Sequence, residues 1–161
     1  MDVAGIMELT KSGVALNDVI LDLFRLNSRL LMTGDKLVGR LGLTSARWQV
    51  LGAIVQAERP QPVAWIARDL GGHRQNVQRI VNDLQKEGLI SLEPNPHHRR
   101  ALLVVLTKTG RKTFDQAMEL WNPWANNLAN YLSLEDIKTV GSLVKTLRHR
   151  LELEQDTDNN K

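Results

Sequence analysis

Apolar residues recur at three- and four-residue steps along most of the chain, and one short stretch breaks the rule. From about Val14 to Arg40, the residues Leu16, Val19, Ile20, Leu23, Phe24, Leu26, Leu30 and Leu31 mark a long amphipathic helix. Gly34 and Gly39 weaken its far end. Thr44 is placed to cap a short helix over Ser45 to Gln56, with Trp48, Leu51 and Val55 on one face. Arg59-Pro60-Gln61-Pro62 ends it, because proline removes a backbone donor and clashes with the preceding turn. A third helix, Val63 to Leu70, is expected to bury Trp65 or Ile66 and to stop at Gly71-Gly72. A fourth, His73 to Glu87, aligns Val77, Ile80, Val81 and Leu84, and Gly88 is its stop signal.

Here the period changes. Leu89 to Glu93 and Leu102 to Leu106 read as two strands around a turn-rich basic segment, Pro94 to Arg100. Helical spacing returns after Thr107 and runs to about Leu132, with Pro123 inside and expected to kink the helix. Ser133 with Asp136 starts a last helix that carries Ile137, Val140, Val144, Leu147 and Leu151. Three short helices followed by a β-hairpin predict a winged helix-turn-helix. The expected fold is therefore mainly α with a small two- or three-stranded β wing. Its parts are an N-terminal dimerisation helix (14–40), a winged helix-turn-helix (41–106), C-terminal dimerisation helices (107–153) and a flexible polar tail (154–161).

Composition narrows the function more by exclusion than by suggestion. The 161 residues are 42% hydrophobic and 24% charged, as in an ordinary soluble globular protein. The absence of cysteine excludes disulfides, thiolate metal sites and thiol redox sensing. The longest apolar run, Ala101 to Leu106, is far short of the ~20 residues that span a bilayer, and the Met1-Asp2 start has no signal-peptide pattern. No membrane partner and a cytoplasmic location are the default. No GxSxG, P-loop, GxGxxG or HExxH pattern occurs, so no catalytic residue or cofactor is expected. Of the four histidines only His97 and His98 are neighbours, which makes a poor metal site.

Net charge is only +3, but it is unevenly placed. Residues 68–112 hold nine Lys and Arg against four acids, Asp69, Asp83, Glu87 and Glu93, leaving the remainder net acidic. A basic middle suits a polyanion, although a solvated charged face would look the same. The fourth helix adds chemistry. Opposite its apolar stripe stand Gln75, Gln78, Arg79 and Asn82, flanked by Arg74 and Asn76. Each amide offers a donor and an acceptor in one plane, which matches the adenine edge in the major groove, and arginine matches guanine or phosphate. Generic solvated faces carry Glu and Lys instead. Arg99 and Arg100 lie at the wing, where they can reach a minor groove or the backbone. Double-stranded DNA is the expected partner; a winged helix that binds protein is the alternative, and it need keep neither feature.

The segments Leu41 to Ile54, Pro62 to Gly71, Arg74 to Ile90 and Arg99 to Lys112 fall in an order and spacing similar to the multiple antibiotic resistance regulator (MarR) family. The resemblance implies a transcriptional regulator, expected to be a repressor, that dimerises through its first and last helices and inserts the fourth into the major groove. Arg100 matches the family's minor-groove arginine, and Arg79 falls where a phosphate-contacting arginine is usual. The chain departs from the pattern at three places. His98 stands where an acid is usual, Asn95 where an acid is common, and His73 where serine often caps the fourth helix. These changes bear on how the wing is held and on operator sequence.

Dimerisation also follows from size. A winged core of about sixty residues cannot cover three further helices rich in large aliphatic side chains, so a homodimer on a pseudo-palindrome is expected, with a larger monomer as the alternative. The resemblance further implies a small lipophilic or phenolic effector between the dimerisation helices and the winged domain. Trp48, Trp65, Trp121 and Trp124 are candidates to line such a pocket, although core packing accounts for each of them singly. Trp48 and Trp65 are expected in the winged core.

Overall fold

The structure is a computed structural model that describes residues 7–158. They form α1 (Lys11–Val38), a 3-10 turn (Gly39–Leu41), α2 (Ser45–Gln56), β1 (Gln61–Pro62), α3 (Val63–Asp69), α4 (Arg74–Lys86), β2 (Ile90–Glu93), β3 (Leu103–Leu106), α5 (Lys108–Ala129) and α6 (Leu134–Asp158). This is the mainly α winged helix that the periodicity predicts. Two compact units divide inside α5, between Leu120 and Trp121.

Local chemistry explains most boundaries. Thr10 caps α1 by accepting the Gly13 N–H at 3.0 Å, so the helix starts at Lys11, three residues before the Val14 start read from the sequence. Thr44 caps α2 through the Arg47 N–H, and Ser133 accepts the Asp136 N–H at the start of α6. Gly42, Gly71 and Gly88 have positive φ and end the 3-10 turn, α3 and α4. Pro123 lies inside α5, which continues unbroken past it. Helix α6 runs past the Leu153 boundary to Asp158, supported by an Arg148–Glu152 pair and no breaker residue. Residues 159–161 of the expected tail lie outside the described residues.

The sheet has strand order β1-β3-β2, all antiparallel. Gln61 and Pro62, read from the sequence only as a helix breaker, pair with Val104 and Leu103. Proline is tolerated there because β1 is an edge strand. Ile90 pairs with Leu106 and Glu93 with Leu103, which makes the two-stranded stem of the wing.

The core of the first unit joins Val38, Leu43, Val50, Leu51, Ile66, Val77, Val81, Leu84, Ile90, Val104 and Ala117. Phe114 packs against it. Gly34, expected to weaken α1, instead permits a close approach. A Cβ there would lie within 2.3 Å of Ser45 Oγ. Ser45, the buried polar residue at the start of α2, donates from Oγ to the Leu31 carbonyl and from its N–H to Asp35 Oδ1, each at 2.7 Å. Trp65 corrects an expectation. It is 59% exposed, because α3 turns Ile66 and Val63 inward. Trp48 is partly buried against the core as expected.

A second close approach fixes the end of α4. Gly88 closes a turn in which the Leu89 N–H reaches the Leu84 carbonyl at 2.9 Å. Thr107 donates from Oγ1 to the Gly88 carbonyl at 2.7 Å and from its N–H to the Leu89 carbonyl at 3.1 Å. The same Oγ1 accepts the Gly110 N–H and so caps α5. A Cβ on Gly110 would lie 1.9 Å from the Leu89 oxygen. Alanine at a helical position gains about 0.5–1 kcal/mol over glycine, but overpacking against fixed backbone costs about 1–3 kcal/mol. Gly110→Ala should therefore lower the urea midpoint. Gly52→Ala, whose Cβ would meet Phe114 at an ordinary 3.6 Å, should hold or raise it. Equal midpoints for the wild type and Gly110→Ala would refute the close contact.

Candidate nucleic-acid interface

The turn between α3 and α4 sets how the fourth helix leaves the core. Gly71, at φ +63, places the Gly72 N–H on the Ala67 carbonyl at 2.9 Å. His73 then takes the N-cap position of α4, but its side chain makes no cap hydrogen bond, unlike the serine usual there. Helix α4 is held from below instead. Val77, Val81 and Leu84 are buried, and Ile80 packs against the same core.

With that stripe inward, the opposite face is committed to solvent. Arg74, Gln75, Asn76, Arg79 and Asn82 are exposed, and Gln78 is partly buried. The structure thus brings together on one helix face the residues that spacing assigned to it. It adds one detail: Gln78 Nε2 donates to Asn82 Oδ1 at 3.0 Å. The pair orients both amides before any ligand arrives, while Gln78 Oε1 remains an acceptor and Asn82 Nδ2 a donor. Asp83 is the one acid within α4, against Arg74, Arg79 and Lys86.

The wing tip follows β2. The His98 N–H reaches the Asn95 carbonyl at 3.2 Å, and the Ala101 N–H reaches the His98 carbonyl at 3.0 Å. Arg99 and Arg100 lie within this closed turn, and both are exposed. No acid occurs between Glu93 and Asp115. The helix face and the wing therefore offer planar amides and cations with little opposing charge, a set suited to base edges and phosphates.

Sequence reasoning missed Arg47. Its guanidinium donates to the Gly42 carbonyl at 3.0 Å and forms a charge-assisted hydrogen bond with Glu87, the C-cap residue of α4. These partners are forty positions apart, so no local pattern announces them. Of the four tryptophans, Trp48 stands on α2 and Trp65 on α3. In the second unit Trp121 and Trp124 meet with ring centroids 4.6 Å apart and planes tilted by 41°. Among the described residues no group of His, Asp or Glu could hold a metal ion, and no helix is long and apolar enough to cross a membrane.

Comparison with known proteins agrees with this geometry. The MarR family model matches residues 41–101, from the 3-10 turn to the wing. An uncharacterised protein of Mycobacterium tuberculosis, Rv2011c, is 41% identical over 101 residues, 63% of this chain and 69% of its own. Sco5413 of Streptomyces coelicolor, a MarR family transcriptional regulator, superposes with a TM-score of 0.73 at 26% identity, covering 86% of this chain and 96% of that one. CouR of Rhodococcus jostii, solved with p-coumaroyl-CoA bound, shares the fold with a TM-score of 0.74 at 18% identity, over 81% of this chain and 92% of its own. From helix order, wing and matched segment together, this chain belongs to the MarR family of winged-helix transcriptional regulators.

Proposed function

We propose that the protein binds a pseudo-palindromic DNA operator as a homodimer, represses transcription by occupying it, and is released by a small aromatic or lipophilic molecule. The observation that carries the DNA-binding part is the outer face of α4. Gln75, Gln78, Arg79 and Asn82 share one side of a helix whose other side is locked in the core, and Arg74 and Asn76 flank them. In this reading Gln75 and Gln78 read base edges, Arg79 meets phosphate, and Arg99 and Arg100 reach the minor groove or backbone.

The dimer is supported by what the single chain leaves uncovered. Of the 28 residues of α1, only Gly34 and Val38 are buried. Nine large apolar residues of α1 are exposed, Phe24 at 67% among them, and seven more are exposed on α6, from Leu134 to Leu153. So many large apolar side chains on two helices are more than a monomer usually leaves in water. A second copy supplies the missing cover, and its twofold axis matches a palindrome. The aromatic effector is supported by the tilted Trp121–Trp124 pair and by the aromatic ligand bound to CouR. A winged helix that binds protein would also use an exposed face, but it has no use for an acid-free arginine wing.

Three measurements test these parts. Arg100→Ala should weaken binding to specific and random duplexes alike and lower the salt slope by about one ion per subunit. Gln75→Ala or Gln78→Ala should cost about 1–3 kcal/mol on the preferred site and spare non-specific binding. If Arg100→Ala and Gln78→Ala both leave affinity, slope and preference intact, the protein-binding reading takes over.

Val144, on the exposed side of α6, is expected at the interface. Val144→Glu should dissociate or unfold the dimer, because the charge would be buried against the partner. Light scattering showing a stable full-length wild-type monomer would end the dimer reading.

Titration with aromatic acids and phenols should change tryptophan fluorescence and release DNA. A protein that stays DNA-bound across a broad panel of them would refute the effector.

A further inference from the structure

One side chain closes the wing. Asn95 is partly buried, in a tip whose residues 96–100 are all exposed. Its Oδ1 accepts the His97 N–H at 3.0 Å, so the amide braces the turn on its own side. Its Nδ2 donates to the Ala101 carbonyl at 3.0 Å, on the far side of the loop. Arg99 and Arg100 lie between these two anchors.

The choice of an amide has two physical consequences. An ionised carboxylate only accepts hydrogen bonds, so it could serve His97 but would face the Ala101 carbonyl with no proton to offer. A carboxylate would also set a negative charge beside Arg99 and Arg100, in competition with any anionic partner. Asparagine does both structural jobs and adds no charge. His98, a second position without an acid, leaves the arginines likewise unopposed.

We propose that Asn95 is the positioning residue of the wing. Its amide holds Arg99 and Arg100 in the arrangement that meets the DNA sugar-phosphate backbone, and its neutrality leaves both guanidiniums available to phosphate. A tip ordered in advance loses less conformational entropy on docking than a free loop would. This inference rests on the reading of the wing as a DNA contact.

The test uses the full-length protein and a duplex that it selects from random sequence. Asn95→Ala removes both bonds, and Asn95→Asp keeps the acceptor while removing the donor. Each should weaken binding about two- to tenfold, the range for one or a few net hydrogen bonds. Hydroxyl-radical protection should fade where the wing lies and persist where α4 lies, with an unchanged melting temperature. A variant that melts earlier and loses both protections equally would indicate a merely structural residue and overturn the proposal. So would two variants that bind like the wild type while Arg100→Ala binds weakly, which leaves the wing as a contact but removes Asn95 from its control. If Arg100→Ala is also without effect, the reading of the wing as a DNA contact falls, and the proposal falls with it. Should either variant fail to fold, hydrogen exchange in the unsubstituted protein decides. The Asn95 side-chain amide should exchange more slowly than that of exposed Asn130, and equal rates would overturn the staple.

Discussion

The contact between the backbone of Leu89 and the start of α5 is the constraint on which the first unit depends. Leu89 follows Gly88, which terminates α4, and precedes β2, which leads into the wing. At that point Thr107 binds the carbonyls of both residues and caps α5. Only a residue without a side chain fits at Gly110. The exit of the fourth helix, the base of the sheet and the entry of α5 are therefore fixed at one place. From there α5 brings Phe114 and Ala117 onto the core that supports α4 from below. The orientation of an exposed helix face is thus decided by backbone geometry at the helix's buried end.

Much of this was legible in the sequence because it rests on local rules. Val77, Val81 and Leu84 define a stripe by spacing, and Gly88 is a stop by conformation. The break in helical period after Gly88 marks the wing. What could not be read depends on contacts between segments distant in the chain. Gly34 looked like a weak point in α1, and only the arrival of Ser45 makes it a site of close packing. Pro62 looked only like a breaker, and only the presence of β3 makes it an edge strand. Trp65 and Ile66 are neighbours of similar hydrophobicity, and periodicity over seven residues is too short to choose between them. The fold turned Ile66 inward.

The candidate site divides the same way. Its membership followed from the face opposite the apolar stripe and from two adjacent arginines in a turn. Its internal organisation did not. The Gln78–Asn82 bond is one of several pairings that amides at four-residue spacing allow. The hold of Asn95 on Ala101 depends on the path of the loop, and residue type alone does not fix that path. The departures from the family pattern at Asn95 and His98 bear on how the wing is held, and at Asn95 the amide supplies the donor that a carbonyl partner needs and a carboxylate lacks.

The two-ended grip of Arg47 has a mechanical meaning. Its side chain is only 17% exposed and spans the gap between the Gly42 carbonyl and the Glu87 carboxylate. Gly42 ends the 3-10 turn that continues α1, and Glu87 ends α4. One side chain therefore ties the end of the 3-10 turn to the end of α4, although the Glu87 carboxylate stays open to water. The arginine joins the end of a long helix to the end of the fourth. Because one side chain makes both bonds, a substitution at Arg47 would release both ends together.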